Sequence, residues 1–240
     1  MTTIGLLIGS MPLARTQHHL ARLLSDVAPT GTTVVELDAR ALPQHGPYGD
    51  VPAPADALAW KRLVGAVDGL VVLTPTIERS IPGSLKNAID WAGGTAAPNA
   101  LAGMPTVISG VSMGNLPRFA SIQHLRTVLS DAGAALKSQP ETVLFAAPEV
   151  FDADGAPLDE ELVAEARALM SAAAGLIAHE RRARAAVPTA ASAAPTAPAP
   201  ALIDDTEVLA ERVTTLDPVA EVLAAAPGPA SPARGVPVEH

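Results

Sequence analysis

Short unbroken apolar runs alternate with helically spaced ones along most of the chain. Residues 3–8 include Ile4, Leu6, Leu7 and Ile8, the continuous pattern of a strand buried on both faces. Leu20, Leu23, Leu24 and Val27 then recur at helical spacing across residues 17–27. Residues 32–37 are β-branched and predict a second strand. A helix over 56–67, a third strand over 70–73 and a helix over 82–92 follow. The spacing next predicts a fourth strand at 106–108, a helix at 123–132, a fifth strand at 142–146 and a long closing helix from Asp159 to about Arg184. Residues 41–54 carry Pro43, Gly46, Pro47, Pro52 and Pro54 and read as an irregular connection.

Strands that alternate with helices build a parallel sheet, and right-handed crossovers cover both of its faces. A doubly wound five-stranded parallel sheet of order 2-1-3-4-5 is therefore expected over residues 1–185. In such sheets ligands bind outside the carboxyl ends of the strands, at the switch point. The loops 9–17, 74–79 and 110–115 would meet there. From residue 186 the composition changes. Residues 187–201 are almost wholly Pro, Ala, Thr and Ser, too poor in large apolar groups to fold, and predict a disordered C-terminal tail. Short helical patterns return at about 204–213 and 217–225, the second with Asp217 as N-cap and Pro218 at the first helical position.

Composition narrows the chemistry. A net charge of −9 argues against nucleic acid or an anionic membrane as partner, since both select a basic face. The absence of cysteine excludes disulfides, thiolate nucleophiles and Cys-ligated metals, so any redox work needs a bound cofactor. The N-terminus enters a strand directly, without a basic region or cleavage site, and no apolar run is expected to reach membrane-spanning length. The expected location is cytoplasmic.

The most specific stretch is Thr74-Pro75-Thr76-Ile77-Glu78-Arg79-Ser80-Ile81-Pro82-Gly83-Ser84-Leu85-Lys86-Asn87-Ala88-Ile89-Asp90-Trp91. It closely resembles the flavin-loop signature of the NADPH-dependent FMN reductase family, T-P-E-Y-N-x-S-x-P-G-x-L-K-N-A-I-D-W. The frame from Ser80 to Trp91 is intact, while Thr76, Ile77 and Glu78 stand where the family has E-Y-N. Gly9, Ser10, Leu20 and Ala21 match the family's first loop, G-S-x-R-x-x-S-x-N-x-x-L-A, but Pro12, Arg15 and Gln17 replace its arginine, serine and asparagine. Residues 109–114 resemble its second flavin loop, and Gln123-His124-Leu125-Arg126 its next helix, with Pro117 and Arg118 in place of a glycine pair. The resemblance covers residues 3 to about 180. It implies a flavodoxin-like fold, FMN and NADPH or NADH as cofactors, and reduction of a quinone, azo compound, metal oxyanion or similar small acceptor. It also implies a homodimer or homotetramer, with the 82–92 helix and Trp91 as a plausible contact.

From the resemblance and the loop chemistry, the expected cofactor-binding residues are Ser10, Arg15, Thr16 and Gln17 around the phosphate. Thr74, Pro75, Thr76, Ile77, Glu78, Val111, Ser112, Met113 and Gly114 are expected around the ring. A helix N-terminus with hydroxyls and a guanidinium suits a phosphate. The alternative for Arg15 is a solvent-facing side chain, and for Glu78 a solvated carboxylate loosely paired with Arg79. Lys86, Asn87 and Asp90 read as capping, surface or subunit-contact residues, and His18, His19 and His124 as surface helix residues. No side chain is expected to act as a general acid and no metal is expected, because the flavin carries the chemistry. A rival from another class is a flavodoxin-like scaffold that has lost reductase activity and works through its tail. Alternative readings of the tail also stand side by side: a tether whose segment 202–223 docks on a protein partner, or a stretch without function of its own or one that folds back on its own domain.

Overall fold

The computed structural model describes residues 1–46, 52–94, 98–113, 119–136 and 142–186. In chain order the elements are β1 Thr2–Ile8, α1 Ala14–Asp26, β2 Thr32–Glu36, α2 Ala55–Gly65, β3 Gly69–Pro75, α3 Gly83–Gly93, β4 Pro105–Ser112, α4 Phe119–Asp131, β5 Ala135–Leu136, β6 Thr142–Phe145 and α5 Glu160–Ala186. The pairings among these strands are parallel, in the order β2-β1-β3-β4, with β5 and β6 both on the outer edge of β4. This is the expected flavodoxin-like order. The tail from residue 187, with both its helical patterns, lies outside the described residues.

Side chains alternate across each strand, and the two faces collect different helices. Ile4, Leu6 and Ile8 of β1 and Val71 and Leu73 of β3 join Leu20 and Leu24 of α1 and Leu169, Met170 and Ile177 of α5. Leu7, Leu70 and Val72 join Trp60 of α2, Leu85 and Ile89 of α3, and Ile122 and Leu125 of α4. β3 and β4 are buried along their whole length, which explains the unbroken apolar run 70–73 of β3.

The sequence expectation needs correcting at the sheet's outer edge. The fifth position is filled by two pieces: β5 pairs Ala135 and Leu136 with Pro105 and Thr106, and β6 pairs residues 142–145 with Ser109–Ser112. The same β6 pairing extends β4 through Gly110, Val111 and Ser112, residues expected in a loop. Their backbone groups find ladder partners that the local sequence does not reveal.

Helix α5 amends a second expectation. By length and composition alone it could cross a membrane. It is instead a core helix: Leu162, Ala166, Leu169, Met170, Ala173 and Ile177 fall on one buried face. Asp159 starts it, its Oδ1 accepting from the N–H groups of Glu161 at 2.9 Å and Leu162 at 3.3 Å.

The far end of α5 is tied to the amino ends of the strands. Asp68 accepts from the Thr3 N–H at 2.7 Å and pairs with the Arg181 guanidinium at 2.5 Å. Burial raises the Asp68 carboxyl, but the Thr3 N–H and the Arg181 charge outweigh it and hold the group below its ordinary value. A depressed folded pKa stabilises above the unfolded value of about 3.9, and that contribution is lost as pH falls through the folded value. Urea midpoints measured against pH will therefore show the advantage of wild type over Asp68→Asn in full above about pH 5, shrinking below about pH 4. An advantage independent of pH would remove the carboxylate from this account.

Candidate functional site

The loops after β1, β3 and β4 converge at the carboxyl end of the sheet, starting from a close approach at Gly9. Its N–H donates to the Leu73 carbonyl at 2.8 Å. A Cβ there would sit 3.1 Å from Leu85 and Pro82 and 3.3 Å from the Leu73 oxygen, so the loop passes tightly against the start of α3. Ser10 and Ser84 share a hydroxyl–hydroxyl hydrogen bond of 2.9 Å. The Met11 N–H donates to Gln17 Oε1 at 3.1 Å, which bends the loop back onto α1.

Leu13 occupies the N-cap of α1, and no side chain caps the helix. The first N–H groups, of Ala14, Arg15 and Thr16, thus have no intrahelical acceptor and present the positive end of the dipole. Arg15 is exposed, Gln17 half-buried and Thr16 buried. Beside this end a cleft of about 30 Å³ is lined by Gly9, Ser10, Gln17, Asp38, Arg40 and Ser84. The Arg40 guanidinium and backbone N–H hold the Asp38 carboxyl down at about 2.

The second loop leaves the buried strand end Thr74-Pro75, where Thr74 Oγ1 donates to the Pro75 carbonyl at 2.8 Å. Residues Ile77 to Ser80 then close a tight turn. The Ile77 N–H donates to the Ser80 carbonyl at 2.9 Å, and the Ser80 N–H to the Ile77 carbonyl at 2.7 Å. The central residues Glu78 and Arg79 have φ of 45° and 66°. Two left-handed central residues define a type I′ turn, which normally takes Asn-Gly. Each costs a β-carbon-bearing residue about 1–2 kcal/mol. Ile77, Glu78 and Arg79 are exposed, and the loose Glu78–Arg79 pairing expected from sequence is not formed. The family's asparagine at 78 was the signal for this turn, because asparagine tolerates the left-handed region.

Glu78→Asn should therefore raise stability by about 0.5–1 kcal/mol without touching the core. Thermal unfolding of wild type and variant side by side checks this. An unchanged or lower midpoint would show that the left-handed glutamate is not strained.

Of the third loop, Val111 and Ser112 belong to β4 and are buried, a correction to their expected loop position, while Met113 is half-buried. Gly114, Pro117 and Arg118 lie outside the described residues. Helix α4 runs beside this site. Ser121 Oγ shares a hydrogen bond with Thr76 Oγ1 at 2.8 Å, and His124 Nδ1 with Ser80 Oγ at 2.8 Å. His124 is exposed, as expected, but it is not idle. His18 is exposed, and His19 packs its ring on Phe151 at 5.4 Å. Among the described residues no group of three or more His, Asp or Glu is placed to hold a metal ion.

The intact half of the signature also makes contacts within the chain. The Asn87 amide accepts from the His45 N–H at 2.6 Å and donates to the Pro43 carbonyl at 3.0 Å. Trp91 Nε1 donates to the same carbonyl at 2.7 Å. These two residues, one turn apart on α3, grip the connection after β2. Lys86 and Asp90 pair at 2.6 Å on the surface of α3. Lys61 of α2, its pKa lowered by burial, donates to the Gly94 carbonyl at the end of α3.

The fold and the convergence of three loops at strand ends define a flavodoxin-like nucleotide or flavin binder, and comparison with known proteins specifies it. Residues 2–149 match the NADPH-dependent FMN reductase family. The chain is 32% identical over 158 residues to a 2-hydroxy-1,4-benzoquinone reductase from Burkholderia sp, across 66% of this chain and 86% of that protein. It is 30% identical over 156 residues to a quinone reductase from Pseudomonas putida, across 64% and 83%. Among solved structures it resembles FerB, a flavoenzyme NAD(P)H:(acceptor) oxidoreductase from Paracoccus denitrificans, with a TM-score of 0.66 and 27% identity over 75% of this chain and 99% of that one. The chain belongs to the NADPH-dependent FMN reductase family, an oxidoreductase with FMN as cofactor and NAD(P)H as electron donor.

Proposed function

We propose that residues 1–185 form an NAD(P)H-dependent quinone reductase with non-covalent FMN at the carboxyl end of the sheet, and that 186–240 is an appended tail. The observation that carries the site is the uncapped start of α1, beside Ser10, Arg15, Thr16 and Gln17. That cradle fits a phosphate dianion, through backbone N–H groups, a dipole and a guanidinium. The ring would lie along Thr74, Pro75, Thr76, Ile77 and Glu78 on one side and Val111, Ser112, Met113 and Gly114 on the other. When bound, the flavin supplies hydride acceptance from NAD(P)H and electron delivery to the acceptor.

The chain's own residues set what enters. Leu13, Ile77 and Phe119 are exposed apolar side chains, one on each of the three segments at the strand ends. An apolar rim favours a flat, weakly hydrated acceptor, and the two relatives named above are quinone reductases. Azo compounds and metal oxyanions are the other acceptors in this reading. Ile77 gives the ring an apolar contact in place of the family's tyrosine, forgoing about 0.5–1.5 kcal/mol of aromatic stacking.

Titration of purified protein with FMN, followed by turnover with NAD(P)H and benzoquinone, an azo dye or chromate, tests this. Binding with preference for the quinone supports it. No heat and no quenching with FMN would leave the scaffold reading in its place. We further propose a cytoplasmic homodimer or homotetramer, with segment 202–223 docking on a protein partner. Light scattering at monomer mass would overturn the first. Loss of flavin binding on deletion of residues 187–240 would overturn the second.

A further inference from the structure

We propose that His124, together with Ser121, is a positioning residue of the active site, clamping the Ile77–Ser80 turn onto α4 in the form the flavin ring meets. This rests on the assignment of the FMN site to that turn. Ser121 and His124 lie three residues apart on α4, so they share one face of the helix. Their partners Thr76 and Ser80 bracket the turn, at 2.8 Å in each case.

The post is rigid. Ile122 and Leu125, the neighbours of these two residues in sequence, are fully buried in the core, and Ser121 is buried as well. The turn is not self-sufficient. Two backbone hydrogen bonds close it, but Glu78 and Arg79 both sit in the left-handed region, where neither is at ease. A turn that opposes its own residue preferences persists only when its surroundings over-determine it. Partners 44 and 45 positions away along the chain supply that determination. The Ser80 hydroxyl can donate or accept, so its bond survives either tautomer of the imidazole.

Hydrogen exchange in the flavin-free chain, together with flavin titration of the same variants, decides the matter. His124→Ala should speed exchange of the Ile77 and Ser80 amides about two- to tenfold, the range for loss of one side-chain hydrogen bond. Exchange of the buried strands should stay unchanged. It should weaken FMN and riboflavin by the same factor, because the ring and not the phosphate is displaced. His124→Asn places an amide atom where Nδ1 was and should restore both quantities. Ser80→Ala, which removes the other partner, should reproduce the His124→Ala behaviour.

Unchanged exchange in both His124→Ala and Ser80→Ala would overturn the clamp. A His124→Asn variant as impaired as His124→Ala would show ring packing rather than the bond at work and would overturn it too. If wild type binds no flavin, the assignment of the site fails, and the exchange of the two turn amides still decides whether His124 holds the turn.

Discussion

Arg15→Ala should weaken FMN about 10- to 100-fold while leaving riboflavin within about twofold, since a hydrogen bond to a charged group contributes about 1.5–3 kcal/mol. Arg15 is exposed, lies in the first turn of α1, and makes no ion pair among the described residues. Its charge would add to three backbone N–H groups that no side chain caps. The loss should shrink as salt is raised, because an exposed guanidinium is screened. Calorimetric titration with the two flavins measures the difference. Equal weakening of both, or none, would show that Arg15 faces only solvent and that the phosphate depends on the helix end alone.

The second large effect is on stability. Gly69→Ala should cost about 1–3 kcal/mol, the usual range for overpacking a filled core. A Cβ at Gly69 would stand 2.5 Å from Ile177 Cγ1, 2.6 Å from its Cδ1 and 2.8 Å from the Pro105 carbonyl oxygen. The side chain of Ile177 has room to adjust only against the rest of α5's buried face, and the Pro105 backbone has none. Adding Ile177→Val should recover part of the loss, so that the double variant is more stable than the sum of the single effects predicts. Urea unfolding of the three variants settles it. A Gly69→Ala chain as stable as wild type would mean that α5 sits less tightly on β3 than this packing shows.

The sheet itself was legible along the chain. The unbroken runs at residues 3–8 and 70–73 could only be strands covered on both faces, and the stretch from Pro82 to Trp91 announced helix α3 and the loop before it. The meeting of three loops at the strand ends followed from the same order. Its detailed conformation did not. Glu78-Arg79 carries no Asn-Gly signal, so a left-handed turn is invisible in this chain's own residues and shows only against the family's asparagine. Val111 and Ser112 looked like loop because nothing near them in sequence foretells pairing with residues 144 and 145. The grip of Asn87 and Trp91 on the connection after β2 was not legible because their hydrogen-bond partners, His45 and Pro43, lie 42–48 residues earlier.

Local propensity and hydrophobic period are properties of neighbouring residues, and they alone set which segments are strand, which are helix and in what order they wind. Hydrogen bonds between distant side chains obey no period, because each depends on two surfaces meeting after the sheet has formed. The sequence by itself therefore determined the flavodoxin-like frame and which three loops meet at the carboxyl end of its sheet. Only the tertiary structure decided how the turn at 77–80 is shaped, what pins it to α4, and how far β4 runs, since each of those waits on a partner brought near by the fold.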